Sequence, residues 1–496
     1  MSFITPLNLF LTLAGAQLLH ILYVLVFRSL LSPLARIPGP RLAALTGWYE
    51  CYYDVFYPGQ YVFKIKQLHQ QFGPIVRITP REVSISDLNF LDAIYSPGVY
   101  AKRDKDFEKV KALGINTSIG GAVGHDLHRR RRESLNPFFS KKGVLALAPQ
   151  LQSKIFQLNS ILAVSQKTGE VVNLSDIYFA FASEQNVLAN SVRAAGMRNN
   201  VATVLRGVKF NLHFSWVRSL ARMLPSSLMG RWVPQGVKDM MKFRQAIRRE
   251  VEQILQSKDD SKSSHSVFLE LRDSPTLPAS EKTAQRLEDE AALLVMAGTE
   301  SPAKSITIAH YHLLSNPDLM SKLRAELSEH PSTTLSEIDQ LPYVRAISLE
   351  ANRLSFGLTG RNPRIAPDET LTYTDLSSKV SYSIPPGTPV STSTLLAHTN
   401  EQVFPDPWTF NPDRWLGNGM EKKKYMLAFS KGPRQCIGMH LADAEAMIAI
   451  AEMGRWGMEL FETNDGDVKF LHDYHVATPN LNSLGVRARV LGRVDL

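Results

Sequence analysis

The sequence predicts a mainly α-helical body with small β-sheets, preceded by one membrane-spanning helix. Apolar residues recur with helical spacing through most of the 496 residues, whereas strand-like runs occur only at 75–85, at 380–390 and near the carboxyl terminus. An uncharged run occupies residues 7–27. With 44% hydrophobic and 21% charged residues, the chain can bury a large core, which excludes a disordered chain and a small disulfide-stapled scaffold.

The run at 7–27 contains no Asp, Glu, Lys or Arg, and it matches the roughly 20 residues that cross a bilayer as a helix. A cleaved signal peptide is the alternative, but no positive charge precedes the run and no small-residue cleavage pattern follows it. Arg28, Arg36 and Arg41 lie on its carboxyl side. Positive residues favour the cytosolic side, so we expect residues 1–6 in the lumen and the long remainder in the cytosol.

The segment after the anchor is rich in proline and arginine, and it predicts a stiff connection to the body. We expect residues 28–41 to form this basic, proline-rich hinge and residues 42–496 to form a single domain, because no linker or repeat interrupts them. Tryptophan and arginine alternate with apolar residues at 211–234. That stretch predicts either a second membrane contact or an ordinary half-buried helix pair.

Charge and cysteine content exclude several functions. The net charge is +9, from 56 Lys and Arg against 47 Asp and Glu. The basic residues are spread along the chain without an arginine-rich tail or zinc-finger spacing, so we expect no nucleic-acid partner. Two cysteines, Cys51 and Cys436, are too few for a disulfide framework or a cysteine-rich zinc site, which leaves room for one thiolate ligand or for two inert thiols.

Cys436 lies in the segment FSKGPRQCIG, directly before an apolar stretch at 439–453 that predicts a helix. A sulfur at the amino end of a helix is stabilised as thiolate by free N–H groups and the helix dipole. Gly438 would let a flat cofactor approach the backbone, Phe429 would shield the sulfur, and Arg434 would meet an anionic edge. A lone cysteine suffices for haem, whose porphyrin supplies four ligands, but not for zinc or an iron–sulfur cluster.

Two further patterns accompany the cysteine segment. Glu350 and Arg353 are three residues apart and share a helix face, so they can pair, and Arg414 could complete a buried triad with a structural role. A surface pair of little energetic value is the alternative. A long helix is expected from about Ser280, as N-cap, to Ser315, and its middle contains AGTESP, whose glycine and proline a plain core helix would avoid.

These motifs together resemble the cytochrome P-450 family. FSKGPRQCIG matches its FxxGxRxCxG haem signature, Glu350 to Arg353 its ExxR motif, FNPDRW at 410–415 its meander, and AGTES at 297–301 its oxygen-activation helix. The resemblance covers almost the whole chain. It implies the cytochrome P-450 fold, a haem-thiolate monooxygenase domain at 42–496, and haem b with Cys436 as the axial ligand of the iron.

The resemblance also assigns residues to the rest of the haem site. It nominates His128, Arg132, Arg361 and Arg434 as partners of the haem propionates. His128 stands where the family usually has tryptophan, and its protonation would make these contacts sensitive to pH near neutrality.

Proton delivery to dioxygen is assigned to the long helix. The resemblance makes Glu300 the acid, and it shows Ser301 and Pro302 where the family usually has two threonines. Pro302 has no N–H, so the Gly298 carbonyl should lose its helical partner and the helix should bend. We hypothesise that the Gly298 carbonyl, the Ser301 hydroxyl and ordered water form a proton relay.

The remaining assignments concern substrate and partners. Family analogy places the substrate pocket at mainly apolar residues, which implies a lipophilic substrate: Leu293, Met296, Ala297, Thr299, Phe356 and Leu358. The residues of these motifs are most similar to those of fungal secondary-metabolism members of the trichodiene oxygenase type. That similarity favours hydroxylation or epoxidation of a terpenoid, with a polyketide or alkaloid as the alternative substrate.

No flavin- or nicotinamide-binding domain fits in the chain, so we expect electrons from NADPH through a separate NADPH-cytochrome reductase. The anchor and the family together imply a single-pass protein of the endoplasmic reticulum membrane. An oxygen-independent isomerase or dehydratase is a further alternative, although Glu300 and Ser301 speak against it. A non-catalytic haem sensor is another, and reductase-dependent turnover would exclude it.

Overall fold

The computed structural model describes residues 6–95, 98, 101–183, 191–217, 235–256, 267–331 and 334–496. Residues 1–5 of the expected lumenal segment and 218–234 of the expected second membrane contact lie outside this part of the chain. The α-helices are α1 (Pro6–Val26), α2 (Arg41–Leu45), α3 (Trp48–Cys51), α4 (Tyr61–Phe72), α5 (Leu91–Tyr95), α6 (Phe107–Leu113), α7 (His125–Phe139), α8 (Lys141–Ala146), α9 (Ala148–Thr168), α10 (Leu174–Ala182), α11 (Ser191–His213), α12 (Gln235–Gln256), α13 (Val267–Asp273), α14 (Ala284–Ser315), α15 (Pro317–Glu329), α16 (Leu335–Ile338), α17 (Pro342–Ser355), α18 (Thr394–His398) and α19 (Met439–Gly454).

The strands are short and form small sheets beside the helices. They are β1 (Ile75–Arg77), β2 (Val83–Ile85), β3 (Asp104–Lys105), β4 (Val172–Asn173), β5 (Arg364–Ile365), β6 (Leu371–Thr374), β7 (Ser381–Ile384), β8 (Pro389–Ser391), β9 (Trp456–Leu460), β10 (His472–Tyr474), β11 (Val476–Thr478) and β12 (Arg487–Arg493). The sheet orders are β1-β2-β8-β5-β3, β4-β12-β9, β6-β7 and β10-β11. The prediction of a mainly helical body with small sheets is confirmed.

Helix α1 stands apart from the body. None of its residues is buried, and together with the π-helix Phe27–Leu31 it is long and apolar enough to cross a membrane. The segment that follows packs onto the body, because Leu34 and Ile37 are buried and the Arg77 N–H donates to the Pro38 carbonyl at 2.7 Å. The connection between α1 and the first sheet is therefore held by packing and hydrogen bonding.

Helix α14 runs through the centre of the body. It packs against α10, α17 and α19, and it remains helical through Gly298 and Pro302. The expected N-cap at Ser280 is wrong. Residues Ala279–Glu281 form a separate 3-10 turn, and the helix begins after Thr283, whose hydroxyl accepts the Arg286 N–H at 3.3 Å.

Helices α17 and α19 both pack against α14; α17 carries the Glu350–Arg353 pair, and α19 follows the Cys436 segment. Most of α17 is buried, as is α19 from Ala444 onward. The alanines of α19 let it pack closely in the main core cluster, which α14 and α17 also join. The amino end of α19, which follows Cys436, therefore has a fixed position relative to the middle of α14.

The corrected start of α14 yields a first prediction. Replacing Thr283 with alanine removes the N-cap acceptor and should lower the free energy of unfolding by about 1 kcal/mol. Chemical denaturation followed by circular dichroism measures this change. Ser280→Ala is the matched control and should change stability by less than about 0.5 kcal/mol. A larger loss for Ser280→Ala than for Thr283→Ala would contradict the observed helix start.

Candidate functional site

A cavity of about 410 Å³ lies between the middle of α14 and the Cys436 segment. Its wall is mainly apolar. Four of the expected substrate-pocket residues line it: Leu293, Met296, Ala297 and Leu358. Thr299 and Phe356 were also expected to line the pocket, but they do not line this cavity, because both side chains are buried in protein packing. The Thr299 hydroxyl donates to the Val295 carbonyl at 2.7 Å, and the Phe356 ring packs against Phe470 and His398.

The Cys436 side chain is exposed, but to this internal cavity. The Cys436 N–H donates to the Phe429 carbonyl at 2.8 Å, which closes the turn around Gly432, where φ is 68°. Gly438 is the residue before α19, and its own N–H donates to the Cys436 sulfur. Burial raises the pKa of the thiol, while that N–H and the nearby Arg132 guanidinium lower it. The chain thus presents one sulfur to the cavity with two groups that stabilise its anion.

Phe429, Gly438 and Arg434 also lie on the cavity wall. Apart from Gly438 and its two neighbours in the chain, no described residue has a heavy atom within 4 Å of where a Cβ on Gly438 would be, so the surface beside the sulfur is open. Arg434 is buried, and its guanidinium donates to the carbonyls of Arg103, Ala122 and Val123. These bonds hold a positive charge at the edge of the cavity.

Arg434 belongs to a buried cluster of cationic side chains beside His128. The sequence missed two members, Arg364 and Lys105. Burial, followed by Arg364 and Arg434, lowers the pKa of Lys105 to about 7, and burial with Arg364 lowers that of Arg434 to about 9. Among the described residues, nothing accepts a hydrogen bond from the buried Arg364 Nε. The cluster has an excess of positive charge, which suits a group with anionic substituents.

Arg361 does not belong to this cluster. Its guanidinium pairs with Glu50 and with Glu82, the latter at 3.0 Å, and it lies over the Tyr61 ring. The Arg361 side chain is 5% exposed and does not line the cavity. The expectation that Arg361 binds a propionate is therefore not supported. Arg364 takes its place in the proposed set because, without lining the cavity itself, it donates to Asn362 and Ser430 of the cavity wall.

His128 and Arg132 do lie on the cavity wall. The Arg132 guanidinium donates to the Gln435 carbonyl, next to the cysteine. Burial first, and then Arg434, Lys105, Arg132 and Arg364, lower the pKa of His128 to about 2. The ring is therefore neutral at physiological pH, which contradicts the expected titration of His128 near neutrality.

A buried carboxylate, Glu350, organises the segment that leads to the cysteine. Arg353 donates to both of its oxygens, at 2.9 and 2.7 Å, and Arg414 donates to one at 3.0 Å. The Trp415 indole and the Asn411 N–H also donate to it, each at 2.9 Å. The side chains of Glu350 and Arg353 are 0% exposed. The interpretation as a surface pair is thereby excluded, and the triad is buried.

His398 connects this triad to the cysteine segment, and no sequence motif pointed to it. Its Nδ1 lies 2.8 Å from the Arg353 carbonyl, and its Nε2 accepts the Leu427 N–H at 2.9 Å. Burial lowers the pKa of His398 to about 3, so the ring is neutral. Nδ1–H therefore donates while Nε2 accepts, which fixes Leu427 two residues before Phe429.

Across the cavity, α14 presents Ala297, Gly298 and Ser301 as an exposed strip, with Glu300 also on the wall. The Ser301 hydroxyl donates to the Ala297 carbonyl at 2.9 Å, so in this structure it does not contact the Gly298 carbonyl. Burial raises the pKa of Glu300, and Lys304 and Arg198 partly offset that effect. A carboxyl that holds a proton closer to neutral pH is suited to proton transfer.

The residues present fit a haem. One sulfur faces an open strip of helix across a mainly apolar cavity, and an excess of buried cations lies at the cavity edge to receive carboxylates. Among the described residues, Cys436 belongs to no group of three or more His, Cys, Asp or Glu side chains that could hold a metal ion, so its thiolate fits haem and not zinc.

Comparisons with known proteins agree with this geometry. A model of the cytochrome P-450 family matches residues 47–455. The chain is 36% identical to the monooxygenase sdnE of Sordaria araneosa, over 97% of this chain and 98% of the relative. It is 34% identical to the conidiogenone synthase of Penicillium rubens, over 94% and 96%. It is also 34% identical to the monooxygenase TRI4 of Trichoderma arundinaceum, over 90% and 89%.

A solved structure shows the same fold. The cyanobacterial CYP120A1 bound to retinoic acid superimposes with a TM-score of 0.67 at 18% identity, covering 92% of this chain and 98% of that one. The chain therefore belongs to the cytochrome P-450 family and is a monooxygenase of the haem-thiolate type.

Proposed function

We propose that this monooxygenase inserts one oxygen atom from dioxygen into a lipophilic secondary metabolite of the terpenoid class. The observation that carries the proposal is the Cys436 sulfur facing the strip Ala297, Gly298 and Ser301 across a mainly apolar cavity. The similarity to a conidiogenone synthase and to TRI4 supports a substrate from fungal secondary metabolism.

Different residues of the chain have different roles in binding haem. Cys436 would hold the haem iron through its thiolate, and a haem bound in this way would supply the oxygen and electron chemistry of such enzymes. His128, Arg132 and Arg434 on the cavity wall, with Arg364 near His128, would hold the propionates. Phe429 shields the sulfur from water, and the open surface at Gly438 admits a flat ring system.

Proton supply is assigned to Glu300, Ser301 and the Gly298 carbonyl. All three lie on the same wall of the cavity. A hydroxyl rotates readily, so Ser301 can leave the Ala297 carbonyl and pass a proton through ordered water toward the cavity. The buried Lys304, whose pKa burial lowers to about 8, lies close enough to Glu300 to bias its charge.

Membrane attachment and electron supply complete the proposal. Residues 7–27 anchor the chain in the endoplasmic reticulum membrane, with 1–6 in the lumen, 28–41 as the hinge and 42–496 as the cytosolic domain. NADPH-cytochrome reductase docks on the cysteine side of the cavity, where basic side chains are accessible. These are Arg129, Arg130, Lys422, Lys423 and Lys424.

Reconstitution tests the function. The full-length protein with NADPH-cytochrome reductase should give the carbon monoxide difference spectrum of a haem-thiolate protein and hydroxylate or epoxidise members of a terpenoid panel. Cys436→Ala should abolish both signals because no other thiol faces the cavity among the described residues.

Cys51→Ala is the matched control and should keep the spectrum, because Cys51 is buried in packing away from the cavity. Haem-thiolate absorbance in Cys436→Ala would overturn the ligand assignment. Oxidation of polyketides or alkaloids but of no terpenoid would replace the substrate class and leave the enzyme class intact.

The relay gives a separate prediction. Ser301→Ala removes a cavity-facing hydroxyl, so product formed per NADPH consumed should fall by about tenfold or more. Thr299→Ala is the matched control: its hydroxyl is bonded to Val295 and buried, so coupling should stay as in the wild type. Equal coupling in Ser301→Ala and wild type would contradict the relay.

A further inference from the structure

We propose that His475 is a hydrogen-bond anchor for the substrate, which is an apolar molecule already carrying a hydroxyl or carbonyl oxygen. The inference rests on the proposed function and names its substrate more narrowly. It starts from a polar side chain on the cavity wall that the haem site does not use.

His475 forms the turn between β10 and β11 in an unusual backbone conformation. Its φ is 74°, a left-handed value that costs a non-glycine residue conformational energy and is often kept at functional sites. Its backbone makes three hydrogen bonds: the N–H donates to Asp473 Oδ1 at 3.0 Å, and the carbonyl accepts from the N–H groups of Thr359 at 3.0 Å and Gly360 at 3.5 Å. The Thr359 hydroxyl also donates to Asp473 Oδ1, at 2.8 Å.

Asp473 also forms an ion pair that connects this turn to α11. Lys209 of α11 donates to Asp473 Oδ2 at 2.7 Å and to Asp54 at 3.1 Å. All three charged groups are buried, so the pairing is well shielded from water. The position of His475 relative to α11 is therefore fixed by a buried ion pair.

Neither ring nitrogen of the His475 imidazole makes a hydrogen bond to a residue that the structure describes. Burial, only partly offset by Asp473, lowers the pKa of His475 to about 4, and Lys209 and Lys105 act in the same direction as burial. The ring is neutral at physiological pH, so one nitrogen donates and the other accepts. Gly360 leaves room beside it, since a Cβ there would lie 3.2 Å from Nδ1.

Three other polar side chains near this wall already have hydrogen-bond partners. The Thr392 hydroxyl donates to the Ile85 carbonyl, the Thr394 hydroxyl to the Leu358 carbonyl, and the Asn362 amide oxygen accepts from Arg364. The facing surface of α11 is apolar and consists of Val201, Val204, Leu205 and Val208. A ligand here meets hydrocarbon on one side and a single free imidazole on the other.

This arrangement specifies the substrate chemistry. A ligand that leaves the buried imidazole without a hydrogen-bond partner binds less tightly, because the desolvation of the imidazole is then not compensated. The site therefore favours an apolar ligand with one oxygen that can form this hydrogen bond. Such a molecule must be supplied by a reaction that has already placed oxygen on the carbon skeleton, either an earlier oxygenation or a cyclisation ended by water.

Matched probes test the anchor in the full-length holoprotein. The pairs are nootkatone with valencene and cedrol with cedrane, which differ chiefly in an oxygen function, and binding is measured by the shift of the haem absorption band. The wild type should bind the oxygenated member of at least one pair about tenfold or more tightly than the hydrocarbon. His475→Phe should bring that ratio close to one.

His475→Gly is the second variant, because glycine adopts the left-handed conformation without strain and keeps the turn. It should also lose the preference. Val476→Ala is the matched control on the same wall, and it should change both members of a pair alike. An unchanged ratio in the two His475 variants, or no preference in any pair for the wild type, would overturn the anchor. A missing haem-thiolate spectrum in the wild type would instead overturn the proposed function.

Discussion

The site depends on the buried carboxylate of Glu350. Its oxygens collect donors from Arg353 on the same helix, from Arg414 and Trp415 of the 3-10 turn that follows Pro412, and from the Asn411 backbone. Arg353 in turn donates to the carbonyls of residues 398, 407 and 409. Removing one partner would leave a buried charge uncompensated, at a cost of about 3–5 kcal/mol.

The imidazole of His398 connects Arg353 to the cysteine segment. Because Arg353 is fixed, its carbonyl is a fixed acceptor for His398, and His398 in turn holds the Leu427 N–H. The turn from Phe429 to Cys436 begins two residues later, and α19 begins directly after it. The sulfur is thus positioned by a chain of polar contacts and by the packing of α19 against α14, while the cavity between them stays open.

Local sequence spacing predicted the parts of the site that lie within one segment. The cysteine turn and the Glu350–Arg353 pair are separated by few residues, so helix and turn geometry bring them together. Arg361 and Arg364 could not be told apart in this way, because their roles depend on Glu50 and Glu82 from distant parts of the chain.

The same limit applies to side-chain direction and charge. Thr299 and Ser301 are neighbours on α14, but only the latter faces the cavity. The pKa of His128 is lowered first by burial and then by four cations, which come from three other segments and from its own helix. His475 gave no motif at all. Its position in the cavity wall depends on a buried contact between Asp473 and Lys209, which are 264 residues apart.

Electron paramagnetic resonance of the ferric full-length holoprotein tests the central claim most directly, because the spectrum reports the atoms bound to the iron. A Cys436 thiolate ligand predicts the rhombic low-spin spectrum of haem-thiolate proteins, with the same spectrum in Cys51→Ala. A spectrum of nitrogen-ligated haem would contradict the account, since it would place a histidine such as His128, which also faces the cavity, on the iron in place of the sulfur.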